Sequence, residues 1–330
     1  MSACRTPLLL QGPRWELEEG DTAYPRRLFD GAEHPGKLYV LGDPSALERP
    51  CAAVVGARKA TPYGVACAQL AARCAVAMGI DVVSGAAIGC DQASQREALR
   101  LGGGVVAVLG SGANVVYPPS ARDLLEGVVE SGGAVVSLQP WDAPPQKWAF
   151  VKRNAVIAAL ARVLVICEAG MPSGTFSTAQ SASDAGREIL VFPGSVFSPN
   201  STGSNYLIAS DANAIPVWDQ KCLEVAYSRN FGRLCSPRAA AGGGAGRGTP
   251  GAGALTRDER SLVEALAASA ATPGALVPAL GVELPRLMRL LGAFEMKGWV
   301  SRLPDGRYSL TEQVLLEHNT GEMRGGSCRS

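Results

Sequence analysis

Between residues 52 and 218 the chain alternates two kinds of hydrophobic pattern. Short runs rich in β-branched residues fall at 52–55, 81–84, 105–109, 134–138, 163–167, 189–192 and 214–217. Most are apolar at consecutive positions, so both faces need cover, as in the strands of a parallel sheet. Stretches at 63–78, 92–101, 120–131, 153–161 and 176–185 read instead as helices. This alternation predicts an α/β fold, a Rossmann-like doubly wound and mostly parallel sheet. Ligands on such sheets bind beyond the carboxyl ends of the strands, so the loops that start at Gly56, Gly85, Gly110, Gln139, Glu168 and Pro193 carry the functional expectation.

Beyond residue 254 the pattern changes. Thr256-Arg257-Asp258-Glu259 is a capping-box sequence ahead of a helix at 261–268. Further helices are expected at 274–280 and 283–297, the last with Leu284, Leu287, Met288, Leu291 and Phe294 on one face. Runs at 299–303 and 307–310 flank the turn sequence Pro304-Asp305-Gly306. Three helices and a hairpin describe a small C-terminal winged-helix domain. Ahead of it, residues 238–254 read RAAAGGGAGRGTPGAGA, with 7 Gly and 6 Ala in 17 residues. Such a stretch has little apolar surface to bury and predicts a flexible linker, on which the winged helix moves semi-independently. The expected organisation is an N-terminal segment 1–50 packing on the core, a core 51–237, the linker 238–254, a winged helix 255–312 and a flexible tail 313–330.

Composition narrows the function. At 47% hydrophobic and 18% charged, the 330 residues suffice for buried cores. Lys and Arg number 31 and Asp and Glu 30, so the net charge of +1 offers no global attraction to nucleic acid. Any such binding needs a local patch. No apolar run reaches the length of a membrane span, and Leu8-Leu9-Leu10 is too short for a signal-peptide core. The nine cysteines show no C-x-x-C pair, and the two histidines, His34 and His318, stand alone. Neither a zinc site nor any other metal or cofactor is expected. A reducing compartment, the cytoplasm, is the expected location.

The local patch exists. Residues 143–167 hold Lys147, Lys152, Arg153 and Arg162 with no acidic residue, a local charge of +4. Trp148 and Phe150 are interleaved, and Trp141 precedes them. Cations for phosphates beside aromatic rings for bases are what single-strand binding requires. The segment 147–153 reads as a loop at the carboxyl end of a strand, which favours the binding role over the alternative that its aromatics anchor it to the core. Gly56-Ala57-Arg58-Lys59 reads either as a close backbone approach to a ligand or as a tight turn with solvated cations. It lacks the glycine spacing of a dinucleotide fingerprint. Ser173-Gly174-Thr175 stands before a helix as an anion nest or an ordinary N-cap. Asp91 reads as a cap of the following helix.

In order and spacing these blocks resemble the DNA-processing protein A family, also called DprA or Smf, from about Tyr24 to Tyr308. YPRRL at 24–28, KLYVLGDPSAL at 37–47, Val55-Gly56-Ala57-Arg58, Tyr63-Gly64, and Val83-Ser84-Gly85 with Gly89 and Asp91 follow the family pattern. AVLGSGANVVYPPSARDLL at 107–125, Phe150 with Arg153-Asn154, Ser173-Gly174-Thr175, Phe192-Pro193-Gly194 and FEMKGWVSRLPDGRY at 294–308 continue it. The resemblance implies a non-enzymatic protein that binds single-stranded DNA, dimerises through its core and helps load RecA recombinase onto incoming DNA in transformation. It implies DNA contacts at Arg58, Lys147, Phe150, Arg153, Asn154, Ser173, Gly174 and Thr175, with Gly56, Lys59 and Lys152 completing the candidate surface. The chain departs from the family at Ala155 and Pro172, where cations are usual, and at Cys90, Gln95 and Leu138. Lys152 and Lys59 are the candidates to compensate.

Two alternatives stand beside this reading. One is a nucleotide-processing enzyme like the lonely-guy phosphoribohydrolases, whose catalytic glutamate position is Thr178 here. The other is a degenerate family member that binds DNA weakly.

Overall fold

The computed structural model describes residues 9–31, 34–232, 255–303, 305–311 and 314. Strands β1 (Arg14–Glu18) and β2 (Lys37–Gly42) open the fold. There follow β3 (Cys51–Val55), α1 (Pro62–Ala77), β4 (Asp81–Ser84), α2 (Cys90–Arg100), β5 (Val105–Leu109), α3 (Arg122–Glu130) and β6 (Ala134–Ser137). Then come α4 (Lys147–Leu160), β7 (Val163–Ile166), α5 (Thr175–Asp184), β8 (Glu188–Val191), α6 (Thr202–Ser210), β9 (Ala214–Pro216) and α7 (Gln220–Phe231).

The nine strands form one sheet in the order β1-β2-β6-β5-β4-β3-β7-β8-β9. All pairings from β6 through β9 are parallel, whereas β2 runs antiparallel to both β1 and β6. The seven runs read as strands are strands β3 to β9. The first 50 residues do more than pack on the core, because two strands extend the sheet itself. Strand β1 was hidden by its edge position, where only Leu17 of RWELE is buried.

The strands are Val-, Ile- and Ala-rich because both faces are covered. On one face they bury against α1, α2, α3 and α7, and on the other against α4, α5 and α6. From β3 the chain winds outward through β4, β5 and β6, and from β7 it winds the other way to β9. The reversal leaves a topological switch point between β3 and β7, where adjacent loops part and a crevice opens.

The C-terminal part contains α8 (Arg257–Ala268), α9 (Pro273–Leu280), α10 (Leu284–Met296) and the hairpin β10 (Val300–Arg302) with β11 (Tyr308–Leu310). The expected capping box is formed: the Thr256 hydroxyl accepts the Glu259 N–H, and the Glu259 carboxylate accepts the Thr256 N–H. Leu262, Leu266, Leu287, Leu291, Phe294 and Leu310 make a separate core. That core also takes in Ala66 and Tyr63 of α1, and Ala66 is only 3% exposed. The winged helix is therefore docked on the sheet domain, in contrast to the semi-independent unit read from the linker. The linker 238–254, the tail beyond 314 and Pro304 of the expected turn lie outside the described residues. Among the described residues no helix is long and apolar enough to cross a membrane.

Candidate nucleic-acid interface

A cleft of about 450 Å3 lies at the switch point. Its walls are the loop after β3, with Gly56, Arg58 and Lys59, and the loop after β7, with Pro172, Ser173 and Gly174. Helix α4 contributes Arg153 and Asn154, and Thr175 and Thr178 open α5. Eight candidate residues are thereby brought together: Gly56, Arg58, Lys59, Arg153, Asn154, Ser173, Gly174 and Thr175.

The segment 147–153 is not the loop that its sequence suggested. It forms the first two turns of α4, which starts six residues earlier than expected. Helical geometry divides its residues between two sides. Arg153 lines the cleft, Phe150 lies beside it against Arg58 without lining it, and Trp148 and Lys152 turn away to another cavity. Lys147 is exposed at the start of the helix and does not line the cleft.

Arg153 is the cleft's buried cation, at 3% exposure. Its guanidinium lies against Gly85, where any Cβ would overlap Nη1 and displace the guanidinium. Asp91 stands 3.9 Å from Nη1, and its carboxylate also accepts the Gly85 N–H at 3.2 Å. Burial raises the Asp91 pKa and lowers that of Arg153, and each charge opposes the shift of the other. Among the described residues the Arg153 Nε has no hydrogen-bond partner. Asp91 does not cap α2, whose N-cap is Gly89 at φ 92°. Its role as the counterion of Arg153 was missed in the sequence, since nothing local links residues 62 positions apart.

Two guanidiniums approach the Phe150 ring. The Arg58 carbon lies 5.3 Å and the Arg153 carbon 5.7 Å from its ring centroid. Tyr117 packs at 5.8 Å between centroids, and the ring lies on Gly110, where a side chain would displace it. The ring is half-buried, so it is both an anchor and a surface. Among the described residues Arg58 and Lys59 have no carboxylate partner.

The remaining loops are braced from beneath. The buried Glu168 carboxylate accepts the Thr61 hydroxyl at 2.6 Å and the Thr61 N–H at 2.8 Å, while its carbonyl accepts the Ala57 N–H at 2.8 Å. Asn154 donates to Ser177 Oγ at 2.9 Å and ties α4 to the start of α5. No side chain caps α5 from outside its own turn; the Ser173 hydroxyl accepts the Thr175 N–H at 3.2 Å. A helix N-terminus with polar groups and nearby free cations favours an anion. Asp91 is the one carboxylate among the residues that line the cleft.

Of the two positions where the family's usual cation is missing, Pro172 lines this cleft, but Ala155 does not. Ala155 lies with Lys152 and Trp148 at a separate cavity. Lys152 is thus no substitute for a cation in the cleft, whereas Lys59 is in place for one.

The fold and the cleft together define a Rossmann-like protein with an anion-favouring switch point and an appended winged helix. The chain belongs to the DNA recombination-mediator protein A family, to which the DprA and Smf proteins belong. The family's profile matches residues 17–226, and that of the DprA winged helix domain matches 248–306. Protein Smf of Escherichia coli K12 is 31% identical over 305 residues, covering 90% of this chain and 78% of its own. DNA processing protein DprA of Streptococcus pneumoniae is 30% identical over 230 residues, covering 65% of this chain and 81% of its own. The X-ray structure of that DprA superposes with a TM-score of 0.60 at 29% identity, over 66% of this chain and 75% of the other. DNA processing protein A from Helicobacter pylori, whose structure is described for its single-stranded DNA binding mode, gives 0.60 at 25% identity, over 67% and 99%.

Proposed function

We propose that this protein binds single-stranded DNA without sequence preference in the switch-point cleft. The observation that carries the reading is the half-buried Phe150 ring close to the Arg58 and Arg153 guanidiniums, at the edge of a cleft that the start of α5 also lines. Cations there neutralise phosphates, and the ring offers a base a stacking face. In keeping with its family, the protein acts as a homodimer through its core and helps load RecA recombinase during DNA uptake, without catalysing a reaction itself. A hydrolytic role finds no support, because the cleft's carboxylate is engaged by Arg153 and the Gly85 N–H. Thr178 stands where the phosphoribohydrolases carry their acid.

Titration of the full chain with oligo-dT and with mixed duplex at several salt concentrations tests this. With about four phosphates neutralised, log K falls against log salt with a slope near −3. Phe150→Ala weakens binding by roughly 1–3 kcal/mol and leaves that slope intact. Equal affinity for duplex, or a response flat in salt, rejects the reading.

A further inference from the structure

A second cavity of about 330 Å3 lies across α4 from the switch-point cleft. Trp148, Lys152, Ala155 and Val156 form one wall, spaced i, i+4, i+7 and i+8 as on a single helix face. Leu138 and Gln139, just beyond β6, line it as well, as does the stretch of chain that leads into β2. Strand β2 is antiparallel to β6, so its start and the end of β6 meet on the same rim of the sheet. Both cavities therefore open on that rim, separated by the width of one helix, about 10 Å.

Three side chains around this cavity, Trp148, Lys152 and Gln139, stand largely free of the fold. The Trp148 side chain is 52% exposed. Lys152 Nζ stands 5.8 Å from its ring centroid and has no carboxylate partner among the described residues. The Gln139 backbone N–H and carbonyl are bonded to the Ser137 hydroxyl, but its side-chain amide has no partner among the described residues. Lys37 is held by Glu16 and Glu18, and His34 faces Glu19, which leaves Lys152 as the free charge. A flat ring, a free ammonium and a free carboxamide complement a nucleobase face, a phosphate and a base edge. The volume lies within the range of small-ligand sites.

We propose that this cavity is a second nucleotide site, occupied by a later nucleotide of the strand that fills the switch-point cleft. The base stacks on Trp148, Gln139 meets its edge and Lys152 meets its phosphate. Between the sites the strand crosses the start of α4, where Lys147 is exposed and no side chain caps the helix. The inference rests on the single-strand reading of the first cleft.

The test uses the full chain with an oligo-dT of about four nucleotides and one of about sixteen, the span of single-strand site sizes. Trp148→Ala leaves the short strand's affinity unchanged and weakens the long strand about tenfold, whereas Trp148→Phe stays close to wild type. Phe150→Ala weakens both. If Trp148→Ala costs nothing on the long strand while Phe150→Ala still does, the second site is refuted and the first reading stands. If the wild type binds neither strand, both fall. Free dTMP supplies the remaining arm. Saturable quenching of tryptophan fluorescence by dTMP that Trp148→Ala abolishes, with no loss for Trp148→Ala on the long strand, makes the cavity a mononucleotide site and contradicts a shared strand.

Discussion

Arg153 shows how one residue serves structure and site together. It is a buried cation whose counterion, Asp91, is equally buried and comes from another loop. Removing one member of such a pair leaves the other charge uncompensated, which costs more than the pair contributes. Asp91→Ala is therefore expected to lower the unfolding free energy by about 3–5 kcal/mol, read from urea denaturation. Adding Arg153→Met to Asp91→Ala recovers part of the loss, because no charge is then stranded. A double variant as unstable as the sum of the single ones would contradict the coupling. The sequence singles out Arg153 as a candidate site residue but not as a buried one, since a cation in a basic segment reads as solvated.

The same inversion explains what was misread at the scale of the element. The first two turns of α4 expose Trp148 and Val151 and bury Arg153, so the hydrophobic pattern points the wrong way for an ordinary surface helix. The strands β3 to β9 were legible because burial on both faces demands unbroken apolar runs. Helix α7 and strands β1 and β2 were not recognised, lying outside the stretch where strands and helices alternate. The helical face also decides which departures from the family matter. Pro172 lines the cleft and Ala155 faces the second cavity. Pro172→Lys is expected to tighten oligo-dT binding at low salt relative to a Pro172→Gln control, and to steepen the salt slope by about 0.7. Ala155→Lys leaves the affinity for a strand of about four nucleotides unchanged, because that length fills the cleft alone. A gain from Ala155→Lys and none from Pro172→Lys would contradict this placement of the strand.

For the whole molecule, the linker sequence suggested two bodies in relative motion, but the winged helix shares an apolar core with α1. Ala66 sits in that seam and Tyr63 borders it, its hydroxyl donating to the Pro193 carbonyl at 2.5 Å. An ionised side chain in the seam forfeits the burial and incurs desolvation. Ala66→Glu is expected to release the winged helix, seen as a larger radius of gyration by small-angle scattering at matched concentration. Single-strand affinity stays near wild type, since Ala66 is not in the cleft. An unchanged radius would place the docking energy elsewhere. The exposed side of α10 carries Leu284, Met288 and Met296 beside Arg286 and Arg289, and Arg286 is paired with Asp258. Few cations are left there for a nucleic-acid backbone.

The claim that the switch-point cleft holds the strand is tested most directly by ultraviolet crosslinking. The full chain is irradiated with oligo-dT, and the adducts are located by mass spectrometry. The account predicts adducts on the peptides that carry Phe150 and the 171–175 loop, suppressed by Phe150→Ala and by raised salt. Adducts confined to 255–310, with 147–175 unmodified, would contradict it.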